Sequence, residues 1–405
     1  MIGCFPIPYK DEFIYSILAR YNLVSSNGSE HITSNELFSR PMWEIKMDLF
    51  PYAKKIEMKL EHFNFYNAVE IIENFSFFNY YKKLSGNKDY FQSLMLEERP
   101  GRIKNELYCH DIEIYNAYYY RFCLKCFERD SENGVPYWHI THNLPGVTYC
   151  EKHQCKLVSS DVKFNGKKLI ALSNQVKISE LPLLNDWEEK ILKLISEQTV
   201  YLFYKKDSTR DTNTAYISYL YESGYLKDFA LDEKSLTNDF MLFYSDSICK
   251  IINIDKKYVI STLIRRIKEA ATGDIHPLFH ILFLIFCGKK IKHLNENNQL
   301  TIPFDSDLFI EKTCKCFDGF FIHNSTLRFR KEGLIGSVKC SCGNYYGIES
   351  WNMKIEVRYG EKFTEQVGEL LFVEDLPISE ISSKLNISKS DLKNYLISRR
   401  NSARY

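Results

Sequence analysis

The chain has almost no net charge. Lys and Arg number 53 against 52 Asp and Glu, leaving +1 over 405 residues. This excludes a protein that holds nucleic acid by bulk charge, so any nucleic-acid surface must be a local patch. Long hydrophobic runs are also missing. The most apolar stretch, Pro277 to Cys287, is too short to span a bilayer and contains His280, so it reads as a buried helix. The segment Met1 to Glu12 contains Lys10, Asp11 and Glu12 and has no apolar core run, so no signal peptide is expected. There is no phosphate-binding loop of the P-loop type and no His-Glu-x-x-His helix, which argues against a P-loop ATPase and against that class of zinc hydrolase. Internal repeats and low-complexity tracts are absent. The expectation is a cytoplasmic protein with no membrane partner.

What is present is ordinary globular material: 45% hydrophobic, 26% charged, with 28 Tyr, 28 Phe and 4 Trp to fill cores. At roughly 150 residues per domain, the length suggests several domains. Twelve cysteines in a cytosolic protein point to metal ligands or core positions, not disulfides.

The cysteines fall into two matched groups. Cys123 and Cys126 are followed, after 23 residues, by Cys150 and His153; Cys314 and Cys316 are followed, again after 23 residues, by Cys340 and Cys342. Closely spaced ligands form knuckles, and two knuckles complete the tetrahedron that Zn²⁺ favours. Four ligands leave no open position, so both sets read as structural Zn²⁺ sites and not catalytic ones. The alternative of free buried thiols requires paired cysteines twice by chance. Cys4, Cys109, Cys155, Cys249 and Cys287 read as small core hydrophobes. Cys155 is a spare donor, with His153 fitting the spacing better. His139 and His142 have the i, i+3 spacing of metal ligands, but with four donors already in place they read as packing or hydrogen-bonding around the first site.

Elsewhere the pattern is helical. Asp11 reads as an N-cap for a helix through Phe13, Ile14, Ile17, Leu18, Tyr21 and Val24. Thr33 and Glu36 read as a capping box opening a second helix. That pair is equally a helix-turn-helix or a plain helical hairpin. Phe63, Tyr66, Val69 and Ile72 share helical spacing. Trp187, Ile191, Leu192 and Ile195 make a stripe, as do Tyr258, Ile260, Leu263 and Ile264, the latter near Arg265, Arg266 and Lys268. Pro277 reads as the opening residue of the apolar helix.

The C-terminal end is the most legible. Phe363, Val367, Leu370 and Leu371 fit one helix; Ile378, Ile381 and Leu385 fit a second behind Pro377. Asn386 and Ile387 make a turn, Ser388 caps a third helix with Asp391 as partner, and Leu392, Tyr395 and Leu396 form its buried side. This is a helix-turn-helix pattern. From Ile381 to Tyr405 six basic residues face one acid. Lys389, Ser390, Lys393 and Asn394 lie opposite the buried side, where a recognition helix meets base edges. Lys384, Arg399 and Arg400 suit phosphates, and Ser388 sits at the helix start.

Two motif groups carry a family resemblance. The first runs from Phe5 through Pro6, Pro8, Tyr9, Lys10, Asp11 and Glu12 to Ser16–Tyr21. The second joins Cys123 and Cys126 to Pro136–His139, His142, Leu144–Val147, Cys150 and His153. Together they resemble the TniQ/TnsD family of transposon target-site selectors. His276–Leu278, the second cysteine group and the helix-turn-helix agree with it. The resemblance implies a non-enzymatic adaptor that binds an attachment site on double-stranded DNA. It would recruit an AAA+ (TnsC-like) transposition regulator, which brings the transposase. The alternative it implies is a bridging subunit that docks on an RNA-guided CRISPR effector complex.

The fold expected is mainly α and multidomain, with two small zinc modules and helix-turn-helix elements. The domains are 1–160 (TniQ-type helical region with a Cys3His finger), 161–300 (helical middle), 301–350 (Cys4 ribbon-like module) and 351–405 (helix-turn-helix).

Overall fold

The computed structural model describes residues 2–40, 47–63, 66–85, 88–97, 119–164, 168–180, 182–205, 212–227, 230–269, 275–295, 328–330, 333–339, 344–349, 354–385 and 387–402. The chain is mainly helical. In order come α1 (Ile14–Val24), α2 (Glu30–Phe38), α3 (Ala53–Leu60), α4 (Ala68–Phe75), α5 (Phe78–Lys82), α6 (Lys88–Leu96), β1 (Tyr119–Phe122), α7 (Leu124–Glu132), α8 (Ile140–Asn143), β2 (Val158–Lys163) and β3 (Ile178–Ser179). Then follow α9 (Asp186–Tyr204), α10 (Thr212–Glu222), β4 (Leu226–Lys227), β5 (Ala230–Leu231), α11 (Glu233–Phe243), α12 (Asp246–Ile251), α13 (Lys256–Lys268) and α14 (Pro277–Phe286). The last elements are β6 (Arg328–Arg330), β7 (Gly333–Lys339), β8 (Tyr345–Glu349), β9 (Lys354–Arg358), α15 (Glu361–Phe372), α16 (Ile378–Lys384) and α17 (Lys389–Ser402). No described helix is long and apolar enough to cross a membrane.

The chain divides into two compact units. One holds Met1–Thr212, Glu233–Arg266 and Ala271–Glu296; the other holds Asn213–Asp232, Ile267–Ala270 and Asn297–Tyr405.

In the first unit α1 is buried along Ile14, Ile17, Leu18 and Tyr21, as its spacing predicts; Phe13 is buried just ahead of the helix, and Val24 at its end is exposed. Its entry differs from expectation. Asp11 does not cap α1, whose N-cap is Phe13 with no side-chain bond. Instead Asp11, at φ +66°, turns its carboxylate toward the start of α8. Oδ1 accepts from Thr141 N at 3.3 Å, and the Asp11 carbonyl accepts from Ile140 N at 2.8 Å. An orphan helix N-terminus is thus capped by a residue 130 positions away in sequence.

The second capping box also shifts. Ser29 caps α2, accepting from Ile32 N. Thr33 and Glu36 lie inside the helix and hold the preceding turn: Thr33 Oγ1 donates to Asn22 Oδ1 at 2.6 Å, and Glu36 Oε2 accepts from Tyr21 and Asn27, each at 2.8 Å. The run from Phe63 to Ile72 is not one helix. Asn67 and Glu70 form a true capping box that starts α4 afresh, leaving Phe63 and Tyr66 exposed.

Strands β1, β2 and β3 form an antiparallel sheet against an aromatic core of Phe13, Tyr15, Phe77, Tyr120 and Trp138. Helix α9 buries Ile191, Leu192 and Ile195 and packs on α5, α12 and α14. Trp187 stays half exposed, edge-on to Phe243. In the second stripe Ile260, Leu263 and Ile264 are buried while Tyr258 is exposed. Pro277 opens α14, as expected, and His276 caps it, its Nδ1 accepting from Leu278 N at 3.1 Å. Burial, with the charge of His280, pushes the His276 imidazole down to about 3. It therefore stays neutral and keeps the lone pair the cap needs.

In the second unit β6–β9 form an antiparallel meander, paired Arg330 to Gly333, Lys339 to Tyr345 and Glu349 to Lys354 at its turns. Helices α15, α16 and α17 form a separate small bundle.

Candidate metal centre and helix-turn-helix

Each knuckle of the first cysteine group has its own local cause. Cys123 ends β1 in extended conformation and serves as the N-cap of α7, so one helical turn brings Cys126 round beside it. The second knuckle is a closed turn. Gln154 N donates to the Cys150 carbonyl at 2.8 Å, Cys150 N donates to the Cys155 carbonyl at 2.9 Å, and Gln154 takes φ +50°. This turn brings Cys150 Sγ and His153 Nδ1 to the same side.

The donor atoms of Cys123, Cys126, Cys150 and His153 all lie within 4.8 Å of one another, and among the described residues they are the one such group. His153 Nδ1 is 3.4, 3.3 and 3.7 Å from the sulfurs of Cys123, Cys126 and Cys150; Cys126 and Cys150 are 3.8 Å apart. Metal bonds of about 2.3 Å to sulfur and about 2.0 Å to nitrogen put tetrahedral edges near ~3.8 Å and ~3.5 Å. The donor set therefore fits a four-coordinate soft-ligand cation and leaves no fifth position. Hydrogen bonds from Cys126 and Cys150 draw the Cys123 thiol down, while Cys126 and Cys150 are pushed up by theirs to Cys123. A cation bound among them would hold all three sulfurs as thiolates, and this donor group could take one.

Cys155 Sγ lies 3.4 Å from Cys123 Sγ but is not one of the four. The expectation of core burial for the single cysteines holds for Cys249, is partial for Cys155 and Cys287, and fails for Cys4, which is exposed. Cys109 lies outside the described residues, as do all four members of the second group, Cys314, Cys316, Cys340 and Cys342.

Around this centre the histidines are structural, as their position implied. His139 is clamped at both nitrogens: Nδ1 faces Asp11 Oδ2 at 3.1 Å and Nε2 faces Asp130 Oδ2 at 2.7 Å. Burial opposes its charge, but those two carboxylates outweigh it and raise the pKa. Burial and the charge of His139 push His142 down to about 3, and its Nε2 stands 3.8 Å from Cys126 Sγ. Arg121, also buried, donates to the carbonyls of Val147 at 2.6 Å and Ile251 at 3.0 Å. Composition and spacing did not single it out; its adjacency to the Cys123 knuckle was the available signal.

The second candidate lies in the bundle at the C-terminal end. Phe363, Val367, Ile381 and Leu392 form its core, edged by Leu370, Leu371, Ile378, Leu385, Tyr395 and Leu396. Ser388 Oγ accepts from Asp391 N at 3.0 Å and donates to Asp391 Oδ2 at 2.7 Å, so α17 starts at the cap its sequence announces. Ile387 N donates to the Ser382 carbonyl at 3.1 Å across the turn; Asn386 lies outside the described residues.

Lys389, Ser390, Lys393 and Asn394 are exposed together on the first turns of α17. Lys384 is exposed but ion-paired with Glu374 at 2.6 Å. Arg399 donates to Thr364 Oγ1 at 2.7 Å, beside the Tyr395 hydroxyl that also bonds there. Arg400 belongs to α17, and its side chain lies outside the described set.

A family model described as TniQ matches residues 4–157, and one described as Tn7-like transposition protein D matches residues 196–404. No curated protein matches the chain.

Proposed function

The chain belongs to the TniQ/TnsD family of Tn7-like transposition target-selection proteins, and from that premise we propose that it binds duplex DNA at an attachment site and recruits the transposition machinery. The observation that carries this reading is the exposed Lys389, Ser390, Lys393 and Asn394 surface, set on a capped helix whose opposite face is buried. A helix so mounted can enter a major groove, where Asn394 has the amide geometry to read adenine. Lys384 and Arg399 would exchange their exposed contacts with Glu374 and Thr364 for phosphates, and Arg400 extends that flank. The partners are the attachment-site duplex and an AAA+ regulator of the TnsC-like kind.

In this reading the metal is structural Zn²⁺, held by Cys123, Cys126, Cys150 and His153, with a second ion at Cys314, Cys316, Cys340 and Cys342. The bound ion would join β1 and α7 to the 150–155 turn. It would perform no chemistry, because four protein donors leave no place for water or substrate. The family is one of targeting proteins, and the protein is read as an adaptor in the cytoplasm, at the nucleoid.

Gel-shift assays of the purified chain on candidate attachment-site duplexes test the reading. A sequence-dependent shift supports it. Binding only to a purified RNA-guided effector complex, with no duplex shift, favours the bridging alternative. Mg²⁺-dependent nicking by the chain alone, abolished by a point substitution, would overturn the adaptor assignment.

A further inference from the structure

Four donors close the first metal centre, and a fifth sulfur stands beside them. Cys155 Sγ is 3.4 Å from Cys123 Sγ, nearer than the 3.8 Å between two of the ligand sulfurs, Cys126 and Cys150. It lies outside the group whose donors are all within 4.8 Å of one another, so it flanks that group on the Cys123 side. A four-coordinate centre does not need it.

The backbone fixes this thiol where it is. Tyr149 and Lys156 form an antiparallel bridge, Cys150 N donates to the Cys155 carbonyl at 2.9 Å, and Leu157 N donates to the Thr148 carbonyl at 2.9 Å. Cys155 therefore sits on the returning arm of a short hairpin that carries His153 in its turn. Across from it, Cys123 ends β1 and caps α7. A disulfide needs about 2.05 Å between sulfurs, which leaves about 1.4 Å of the 3.4 Å separation for side-chain rotation to close. Exposure divides the two roles. Cys123, Cys126 and Cys150 are buried, whereas Cys155 is half-buried, so a small oxidant meets the centre on the Cys155 side.

We propose that Cys123 and Cys155 are a redox-active dithiol that closes to a disulfide under a peroxide-class oxidant and so withdraws Cys123 from the metal's donor set. The withdrawal rests on the metal reading above; the sulfur pair does not. In the step, the peroxide O–O bond breaks as one thiol becomes a sulfenic acid and a first water leaves. The second thiol then displaces the sulfenic hydroxyl as a second water, and the Sγ–Sγ bond forms. The two sulfurs lose two electrons, and their protons leave in the waters. Cys126, Cys150 and His153 remain, three donors with an open position, which hold an ion less tightly. The new bond joins β1 and α7 to the 150–155 turn, the elements the ion would join. The oxidised chain therefore gives up its ion without untying them. Cytosolic disulfides are mostly of this transient, sensing kind.

The test treats the zinc-loaded full chain with hydrogen peroxide, blocks remaining thiols by alkylation and maps disulfides by non-reducing peptide mass spectrometry. Released zinc is followed with a chromogenic chelator. A Cys123–Cys155 peptide should appear together with the loss of one zinc equivalent, and dithiothreitol with added zinc should reverse both. Cys155→Ser should carry the parent's zinc before treatment and release it more slowly afterwards. The map needs no variant, so it decides even where Cys155→Ser folds poorly. The proposal is overturned by Cys123 joined to Cys126 or Cys150 with Cys155 alkylated, or by no disulfide at all. It is also overturned by parent-like release from Cys155→Ser, or by a zinc deficit in that variant at rest, which would make Cys155 a ligand. An untreated chain without metal would refute the metal reading alone; a Cys123–Cys155 bond formed in that chain would still support the dithiol.

Discussion

Asp11 and His139 meet at 3.1 Å, carboxylate Oδ2 against ring Nδ1, across 128 residues of sequence. The other ring nitrogen is taken by Asp130, so one imidazolium joins the N-terminal segment to α7.

This clamp predicts a stability optimum in pH. Burial alone would raise the Asp11 and Asp130 carboxyls, but the bonds to His139 outweigh it and lower them from 3.8. Their contribution is present above that value and lost as pH falls through the lowered pKa. His139 is raised from 6.5; its contribution is complete below 6.5 and lost as pH rises through the raised pKa. Thermal unfolding midpoints should therefore peak between these two values and decline on both sides. His139→Ala should flatten the alkaline decline. It should also cost about 3 kcal/mol, because two buried carboxylates lose their shared counter-charge and keep only Arg129 (on Asp130, 2.7 Å) and Lys152 (on Asp11, 3.8 Å). An unchanged alkaline limb would remove the clamp from the account.

Metal analysis of the purified chain should find about two zinc ions, one per four-ligand set. Cys126→Ser should remove one of them and lower the unfolding temperature, and Cys340→Ser should remove the other. Zinc content unaffected by both changes would refute the assignment.

Lys389→Ala with Lys393→Ala should weaken duplex binding across all sequences and reduce the slope of log affinity against log salt by about 2, since each neutralised phosphate releases a counterion. A slope equal to that of the parent protein would assign the surface elsewhere.

Gly146 has φ +81°, and a Cβ there would come within 2.7 Å of Leu278 Cδ1 and 3.1 Å of Ile195 Cγ2. Gly146→Ala therefore meets both a disfavoured backbone and a filled space between α9 and α14. A loss of about 2 kcal/mol or more in denaturant unfolding is expected; a neutral result would mean that the α9–α14 contact yields easily.

The C-terminal bundle was legible because its signals are local. Ser388 and Asp391 lie three positions apart, and Leu392 and Leu396 lie one turn apart, so sequence distance and spatial distance agree. The four donors of the first metal group were legible for the same reason within each knuckle. Asp11 has the local look of an N-cap, but its partners, Thr141 and His139, lie about 130 residues away, beyond any local window. Thr33 and Glu36 fit the capping-box spacing, but Asn22 and Asn27 compete for the same side chains. At Phe63–Ile72 periodicity ran through a break that Asn67 and Glu70 mark clearly. Lys384 reads as part of the basic patch from Ile381 onward because its partner, Glu374, lies ten residues before it and outside that stretch.

The attachment of α1 also sets an order of events during synthesis. Trp138 N donates to Ser16 Oγ, Phe13 N donates to the Trp138 carbonyl, and Asp11 closes onto Thr141. Until Trp138 to Thr141 have left the ribosome, Phe13, Ile14, Ile17 and Leu18 have no complete seat. This hydrophobic face is thus made well before the residues that cover it. Contacts of such high sequence separation slow folding and prolong the exposure of the α1 face to aggregation.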